Sequence, residues 1–271
     1  MNIFLNEKKV CAAPGISLAR FKREHKPGAD VLICNGAPVP PREAAKLRLK
    51  EGDAVVLIRR GEKPSRSEAC ALLCARHSAG TIAKFRKTAI GIAGAGGLGS
   101  NAAMALARSG IGRLIMADFD VVEPSNLNRQ AYNMSQIGQY KVDALKRNIR
   151  QVNPYVRVDA VRVKLTSRNI ARVFAEADIL IEAFDAPISK AMLANVFCRR
   201  FPAKPVILAS GLADCASSNS VRTGRLGPNV YVVGDMRTGV ASGVGLMAPR
   251  VGIAACHQAN LALRLALGLE N

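Results

Sequence analysis

The chain has 271 residues, 22% of them charged, and a formal net charge of +19. This length can bury the core of one large domain, or of a medium and a small one. Seven cysteines, an odd number without a secretory signal, favour a reduced cytoplasmic protein over a disulfide-stapled secreted one.

Basic side chains are densest in the first third, where residues 1–87 hold 18 basic and 8 acidic residues. Aromatic residues make up only 4% of the chain, so stacking on nucleic acid bases is not expected. A solvated face, or a surface for an acidic protein partner, is the favoured interpretation. Residues 88–107 carry no charge, but their five glycines argue against a membrane span.

Residues 1–62 are predicted to form a small separate domain. NIFLN and KVCAA read as strands around a turn, Ser17 as the cap of a helix to His25, and DVLICNG and the segment after EGD as strands, with PVPPREAAK as a loop. This is the order of a β-grasp fold.

The pattern NG-x-P-V followed by L-x-x-GD-x-V resembles ThiS, the ubiquitin-like sulfur carrier. Such carriers act through a free C-terminal Gly-Gly, whereas this chain continues past Gly61-Glu62, so we expect a fused docking or structural unit.

Residues 63–83 are predicted to be a linker and a helix over 67–77, and residues 84–271 a second domain. Strands and helices alternate there, which indicates an α/β fold with a doubly wound, mainly parallel, Rossmann-like sheet. The predicted strands are 88–93, 114–118, 157–163, 178–184, 205–210 and 231–235, and the predicted helices are 141–151, 170–175, 190–201 and 249–267, besides the one after the first strand.

A glycine turn follows the first strand of this second domain. Gly94, Gly96 and Gly99 fit G-x-G-x-x-G, with Gly97 and Leu98 inside the turn, and an Ala-rich helix follows. Backbone amides of such a turn can bind a phosphate. Asp118 ends the next strand, where a ribose-binding carboxylate is expected. The alternative is a tight turn without a ligand.

The loop DFDVVEPSNLNRQ after Asp118 is rich in polar side chains. Arginine can bind phosphate oxygens as a planar fork and lysine as a point charge, so this loop and Lys141 could hold a triphosphate. The alternative is that Arg129 and Lys141 are ordinary surface cations. The expected nucleotide-binding positions are Asp120, Ser125, Asn126, Asn128, Arg129, Gln130 and Lys141.

Asp185 follows a strand with the buried-type sequence DILIEAF. Carboxylates at this edge of an open α/β sheet commonly hold Mg²⁺, which bridges phosphates. The alternative is that Asp185 caps the next helix.

Taken together, GAGGLGSN, SNLNRQ, GQYK, NPY and EAFD resemble the ThiF/MoeB family, the prokaryotic relatives of ubiquitin-activating enzymes. The resemblance runs from about Arg76 to the C terminus. Its tail, with APRVGIAA and HQAN, is most similar to short ThiF-like proteins of thiamine biosynthesis.

The resemblance implies ATP-dependent adenylation of the C-terminal glycine of a ThiS-type carrier. Asp118 would hold the ribose, Arg129 with Asn126 and Gln130 the phosphates, Lys141 the α/β region and Asp185 the Mg²⁺. Arg76 would act across a homodimer, and Cys215 is a candidate sulfur-transfer thiol, although a plain structural role is favoured. No structural zinc is expected, because Cys70 and Cys74 do not form a Cys-x-x-Cys pair.

Three other functions stay open at this point. A nicotinamide dehydrogenase would share the glycine turn and Asp118 but would give no role to Arg129, Lys141 and Asp185. A non-catalytic nucleotide-binding module could be regulated by its fused ubiquitin-like domain. A related enzyme that modifies tRNA would fit the charge and would show steeply salt-dependent RNA binding.

Overall fold

The computed structural model describes residues 1–6, 8–66, 68–69, 73, 80–239 and 245–269. It divides into two compact units, Met1–Ile82 and Ala83–Asn271. Most of the helix predicted over 67–77 lies outside the described residues, together with Arg76, Cys70 and Cys74.

In the part of the first unit that the structure describes, a five-stranded sheet packs against an eight-residue helix. Ser17 caps that helix by accepting a hydrogen bond from the Arg20 N–H at 3.3 Å. The strand order is β2-β1-β5-β3-β4, with β1 and β5 parallel at the centre, which confirms the β-grasp prediction. The short β4 occupies the start of the segment predicted as a loop. The elements are β1 (Asn2–Leu5), β2 (Lys8–Cys11), α1 (Leu18–His25), β3 (Val31–Cys34), β4 (Ala37–Pro38) and β5 (Ala54–Ile58).

The chain that leaves β5 is tied back to this first unit. The Arg60 N–H donates to the Asp30 carboxylate at 3.0 Å. Further along, the Glu68 carboxylate accepts hydrogen bonds from the Asn6 amide at 2.9 Å and from Lys26 Nζ at 2.7 Å. A carrier needs an extended free tail at this point, so the anchored segment supports the prediction that this unit is not itself a carrier.

The second unit contains a seven-stranded sheet of order β11-β12-β10-β9-β6-β7-β8, in which all neighbours are parallel except β11 and β12. This confirms the Rossmann-like prediction. Among the described residues, no helix is long and apolar enough to cross a bilayer. The elements from the unit boundary onward are α2 (Thr81–Lys87), β6 (Ala89–Ala93), α3 (Gly97–Arg108), β7 (Arg113–Asp118), α4 (Lys141–Val152), β8 (Arg157–Arg162), α5 (Ile170–Val173), β9 (Ile179–Glu182), α6 (Pro187–Arg200), β10 (Val206–Ala209), β11 (Arg222–Gly227), β12 (Val230–Gly234) and α7 (Ala248–Leu267).

Two differences from the predicted elements have a simple physical reason. Strand β11 was not predicted, because its sequence RTGRLG carries two glycines and two arginines and it lies exposed at the edge of the sheet. Helix α6 begins at Pro187 rather than at residue 190, since proline is well suited to the first helical position, where no N–H is needed.

The register of the three central strands places their carboxyl ends side by side. Ala93, the last residue of β6, is paired with Ala117 on β7 and with Glu182 on β9. Strands β7 and β8 lie on one side of β6, whereas the later strand β9 lies on the other. Open α/β sheets bind ligands at the point where successive strands change sides in this way. The segments after Ala93, Ala117 and Glu182 therefore share one edge of the sheet.

Candidate functional site

The glycine turn links β6 to α3 in a conformation that side chains would not permit. Gly94 has φ +100°, and a Cβ on it would lie 2.7 Å from the Ala183 carbonyl oxygen. A Cβ on Gly99 would lie 1.9 Å from the carbonyl oxygen of Gly94. Gly96 is the N-cap residue of α3 and has no side chain of its own. The first amides of this helix therefore have no side-chain cap among the described residues. A helix end of this kind attracts an anion.

Asp118 supports the turn from the neighbouring strand. Its carboxylate accepts hydrogen bonds from the Ala95 N–H at 2.6 Å and the Asp120 N–H at 2.8 Å. Burial raises the pKa of Asp118, and the two backbone hydrogen bonds oppose this shift. The Tyr132 hydroxyl, which the sequence analysis did not single out, donates to the Ala95 carbonyl at 2.7 Å. Each Asp118 oxygen still has a lone pair that could accept from a ribose hydroxyl.

The loop after β7 returns to the glycine turn and packs against it. Asn101 on α3 donates to the carbonyls of Gly97 at 2.7 Å and Arg129 at 3.0 Å. A Cβ on Gly97 would lie 3.5 Å from Cγ of Arg129, so the arginine stem runs beside the start of the helix. The Arg129 guanidinium donates to the Asn128 amide oxygen at 2.8 Å and the Ser125 carbonyl at 3.3 Å. It has no carboxylate partner among the described residues.

Gln130 is buried with one polar atom unused. Its Oε1 has no hydrogen-bond partner in the described part of the chain, and its Nε2 lies 3.9 Å from the position of a Cβ on Gly96. Buried side-chain amides are normally satisfied, and the two ends of a glutamine amide are assigned by their partners. The unused hydrogen-bonding capacity of Gln130 therefore points to a polar ligand beside the turn. Asn126 is also buried, but it is used locally, since its amide oxygen accepts from the Glu123 N–H at 3.1 Å.

Lys141, which was predicted as a phosphate contact, is already paired in this structure. Its ammonium donates to the Asp120 carboxylate at 3.0 Å, and the lysine side chain is largely buried. The backbone N–H of Lys141 also donates to the Asp120 carbonyl at 2.9 Å. Asp120 lies two residues after Asp118, so this ion pair brings the Lys141 ammonium to the loop that carries the site. Asp120 is exposed, and a phosphate could replace it as the partner of Lys141.

Asp185 is exposed at the same edge of the sheet and forms no hydrogen bond or ion pair with any described residue. The N-cap of α6 is Ala186, with no side-chain cap, so the alternative interpretation of Asp185 as a helix cap is wrong. Ala183, two residues before Asp185, abuts Gly94, which brings this loop against the glycine turn.

One described residue of the prediction is not brought into this group. Cys215 is exposed in the segment after β10, and β9 separates β10 from the strand that leads into the glycine turn. Arg76 lies outside the described residues. Glu182, which ends β9 and is fully buried, is not among the residues predicted from the sequence. Its signal was a carboxylate inside an otherwise apolar strand.

The residues present fit a nucleoside triphosphate. The uncapped helix end and Arg129 suit phosphates, Asp118 suits a ribose, and Gln130 has unused capacity. A free carboxylate such as Asp185 is a suitable ligand for Mg²⁺. No group of three metal-ligating side chains exists among the described residues. Mg²⁺ is usually held by one or two protein carboxylates together with phosphate oxygens and water.

Comparison with known families gives two matches that together cover almost the whole chain. Residues 71–271 match the ThiF family, and residues 1–61 match the ThiS-like ubiquitin family.

The curated relatives match about two thirds of the chain. The molybdopterin-synthase adenylyltransferase of Haemophilus influenzae is 31% identical over 191 residues, which are 68% of this chain and 76% of that protein. The adenylyltransferase and sulfurtransferase UBA4 of Candida glabrata is 28% identical over 199 residues, 69% of this chain and 44% of the relative. The chain thus spans less than half the length of the yeast relatives it matches.

Among solved structures, the E. coli tRNA N6-threonylcarbamoyladenosine dehydratase TcdA in complex with ATP superimposes with a TM-score of 0.67 at 24% identity. The match covers 76% of this chain and 98% of that one. The E. coli MccB structure with ATP gives a TM-score of 0.54 at 21% identity. At these identities the likeness shows the fold alone.

Proposed function

The chain belongs to the ThiF family, and from this premise we propose that it is an ATP-dependent adenylyltransferase that activates the C-terminal carboxylate of a ubiquitin-like carrier protein. The observation that carries the proposal is the grouping at one sheet edge of an uncapped helix end, Arg129 and the unpaired Asp185. The named activities of the two adenylyltransferase relatives support it.

The reaction requires little proton chemistry from the protein. A carboxylate oxygen of the carrier forms a bond to the α-phosphorus of ATP, and the bond from that phosphorus to the pyrophosphate oxygen breaks. The products are an acyl-adenylate and pyrophosphate. Alignment of the two reactants and neutralisation of the phosphate charge lower the barrier of such a displacement.

Each residue then has a defined task. The α3 amides and Arg129 would bind phosphate oxygens, with Gln130 beside them, and Asp118 would orient the ribose. Lys141 would exchange Asp120 for the α/β-phosphate region. Asp185 would hold Mg²⁺, which supplies positive charge to the phosphates when bound.

We further propose that the carrier is a ThiS-type protein ending in Gly-Gly and that the product serves thiamine biosynthesis. The support is the similarity of the C-terminal part of the chain to short ThiF-like proteins and the ThiS-like unit in the same chain. A homodimer in which Arg76 completes the partner's site, and a sulfur-transfer role for Cys215, belong to the same proposal.

ATP–pyrophosphate exchange tests this function. The full chain should catalyse Mg²⁺-dependent exchange that is stimulated by a ThiS-type carrier ending in Gly-Gly and not by the same carrier without its last glycine. Exchange that is indifferent to the carrier, or tighter binding of NAD than of ATP, would contradict the proposal.

A pair of glycine substitutions reports on the phosphate position. In the protein alone, the nearest heavy atom to a Cβ on Gly96 is Gln130 Nε2 at 3.9 Å, an ordinary van der Waals distance, and the residue has φ −77°, so Gly96→Ala should fold at a cost of about 1 kcal/mol. We expect its ATP affinity to fall at least tenfold, because the methyl group would point at the phosphate, as measured by calorimetric titration.

Gly99→Ala is the matched contrast. Its Cβ would overlap the Gly94 carbonyl oxygen, so this variant should lose stability as well as binding. Wild-type ATP affinity in a folded Gly96→Ala protein would place the phosphates elsewhere.

A further inference from the structure

The carboxylate of Glu182 is fully buried at the end of β9, and both of its oxygens are hydrogen-bonded. Its Oε1 accepts from the Phe184 N–H at 2.6 Å and its Oε2 from the Ala209 N–H at 3.1 Å. Lys190 Nζ donates to both oxygens, at 3.0 and 3.1 Å. Buried charges of this kind persist only when they are paired and hydrogen-bonded.

Through these contacts Glu182, at the end of β9, is joined to Ala209 at the end of β10 and to Lys190 in α6. Its bond to the Phe184 N–H also holds the residue immediately before Asp185. From a fourth side, Gln258 on α7 donates to the Glu182 carbonyl at 2.9 Å. The Asp185 side chain forms no hydrogen bond or ion pair with any described residue, so its position depends on the backbone that Glu182 holds.

The same segment also limits the glycine turn. Ala183, between Glu182 and Phe184, lies against Gly94. A Cβ added to Gly94 would come within 2.7 Å of the Ala183 carbonyl oxygen. Ala183 is thus held from the side of the turn as well, so loss of Glu182 is expected to displace chiefly Phe184 and the exposed Asp185. Stability alone does not require a charged pair here, since buried ion pairs are often replaced by apolar residues without loss.

We propose that Glu182, paired with Lys190, is a positioning residue that sets Asp185 for a divalent cation bound with the nucleotide. The inference rests on the proposed function of the site. Neither residue touches the substrate. Outer partners that orient a metal ligand typically change metal affinity by about 10- to 100-fold when they are replaced.

The test uses Mn²⁺ as the probe and electron paramagnetic resonance of free Mn²⁺ as the readout, on the full chain with ATP, relative to the same Mn²⁺ and ATP without protein because ATP itself binds Mn²⁺. The wild-type protein should take up Mn²⁺ with ATP, and Asp185→Asn should lose most of this uptake. Glu182→Gln should weaken Mn²⁺ binding about tenfold or more. Its affinity for ATP in the presence of EDTA should stay within about twofold, because the turn and Arg129 remain.

A double variant separates positioning from stability. Glu182→Gln combined with Lys190→Met removes both charges, so it should regain thermal stability relative to either single variant. We expect its Mn²⁺ affinity to remain as low as that of Glu182→Gln. Recovery of Mn²⁺ affinity together with stability would show a purely structural role and overturn the inference. If Glu182→Gln does not fold, Lys190→Met and the double variant provide the same comparison.

The two proposals fail in different ways. Normal Mn²⁺ binding by a folded Glu182→Gln protein would overturn the positioning role and leave the adenylyltransferase proposal intact. A wild-type protein that takes up no Mn²⁺ with ATP would overturn both.

Discussion

Replacement of Arg129 by alanine is expected to lower ATP–pyrophosphate exchange by about two to three orders of magnitude, the loss seen when one preorganised donor to a developing charge is removed. The guanidinium is available for this role because it has no carboxylate partner among the described residues. Its two hydrogen bonds, to Asn128 and to the Ser125 carbonyl, stay within the loop. The free energy of unfolding should therefore change little.

The kinetic pattern distinguishes a phosphate contact from a loss of loop structure. If Arg129 acts in the transition state, kcat should fall more than the KM for ATP rises. Arg129→Lys should recover only part of the activity, since lysine keeps the charge but loses the planar fork. Arg108→Ala, at the exposed end of α3, is the matched control and should be neutral. Unchanged exchange in Arg129→Ala would remove the assignment of this residue to the phosphates.

Replacement of Arg250 by methionine should destabilise the second unit by about 3–5 kcal/mol, because it leaves a buried carboxylate without its cation. Arg250 is 3% exposed and donates to the Asp235 carboxylate at 2.5 Å. That bond comes from Nη2, and Nη1 donates to the carbonyls of Ala216 at 2.9 Å and Ser217 at 3.1 Å. The same arginine therefore anchors the segment after Cys215, and urea denaturation measures the loss.

Asp235 makes the matched partner experiment possible. Burial alone would raise its pKa, but hydrogen bonds from Thr238 and Arg237 and the charge of Arg250 lower it below the ordinary value. Asp235→Asn combined with Arg250→Met should be less unstable than the sum of the single changes, since no buried charge is left unpaired. Arg237→Met, in the same turn but exposed, should change stability by less than about 0.5 kcal/mol. An Arg250→Met protein as stable as wild type would contradict the buried ion pair.

Much of the architecture could be predicted because the responsible signals are local. Apolar runs such as 88–93 and 178–184 mark buried parallel strands, and the glycine turn marks the change to a helix. Strand β11 escaped prediction because an edge strand is selected by pairing with β12, not by its own composition.

The candidate site likewise has a part that could be predicted from the sequence and a part that could not. The glycines, Asp118 and the SNLNRQ segment are contiguous motifs, whereas the partners of the buried side chains come from distant parts of the chain. Glu182 meets Ala209 and Lys190 only after the sheet has formed, and Tyr132 reaches Ala95 across 37 residues. The pairing of Lys141 with Asp120 could not be predicted from spacing either, because it depends on the path of the intervening loop.

The central claim is that this sheet edge joins the α-phosphate of ATP to the terminal carboxylate of a carrier. Incubation of the full chain with a Gly-Gly carrier and ATP labelled at the α-phosphorus tests it most directly. The account predicts label on the carrier and release of unlabelled pyrophosphate, with neither in Asp185→Asn. Label that never reaches the carrier, although ATP and carrier both bind, would contradict it.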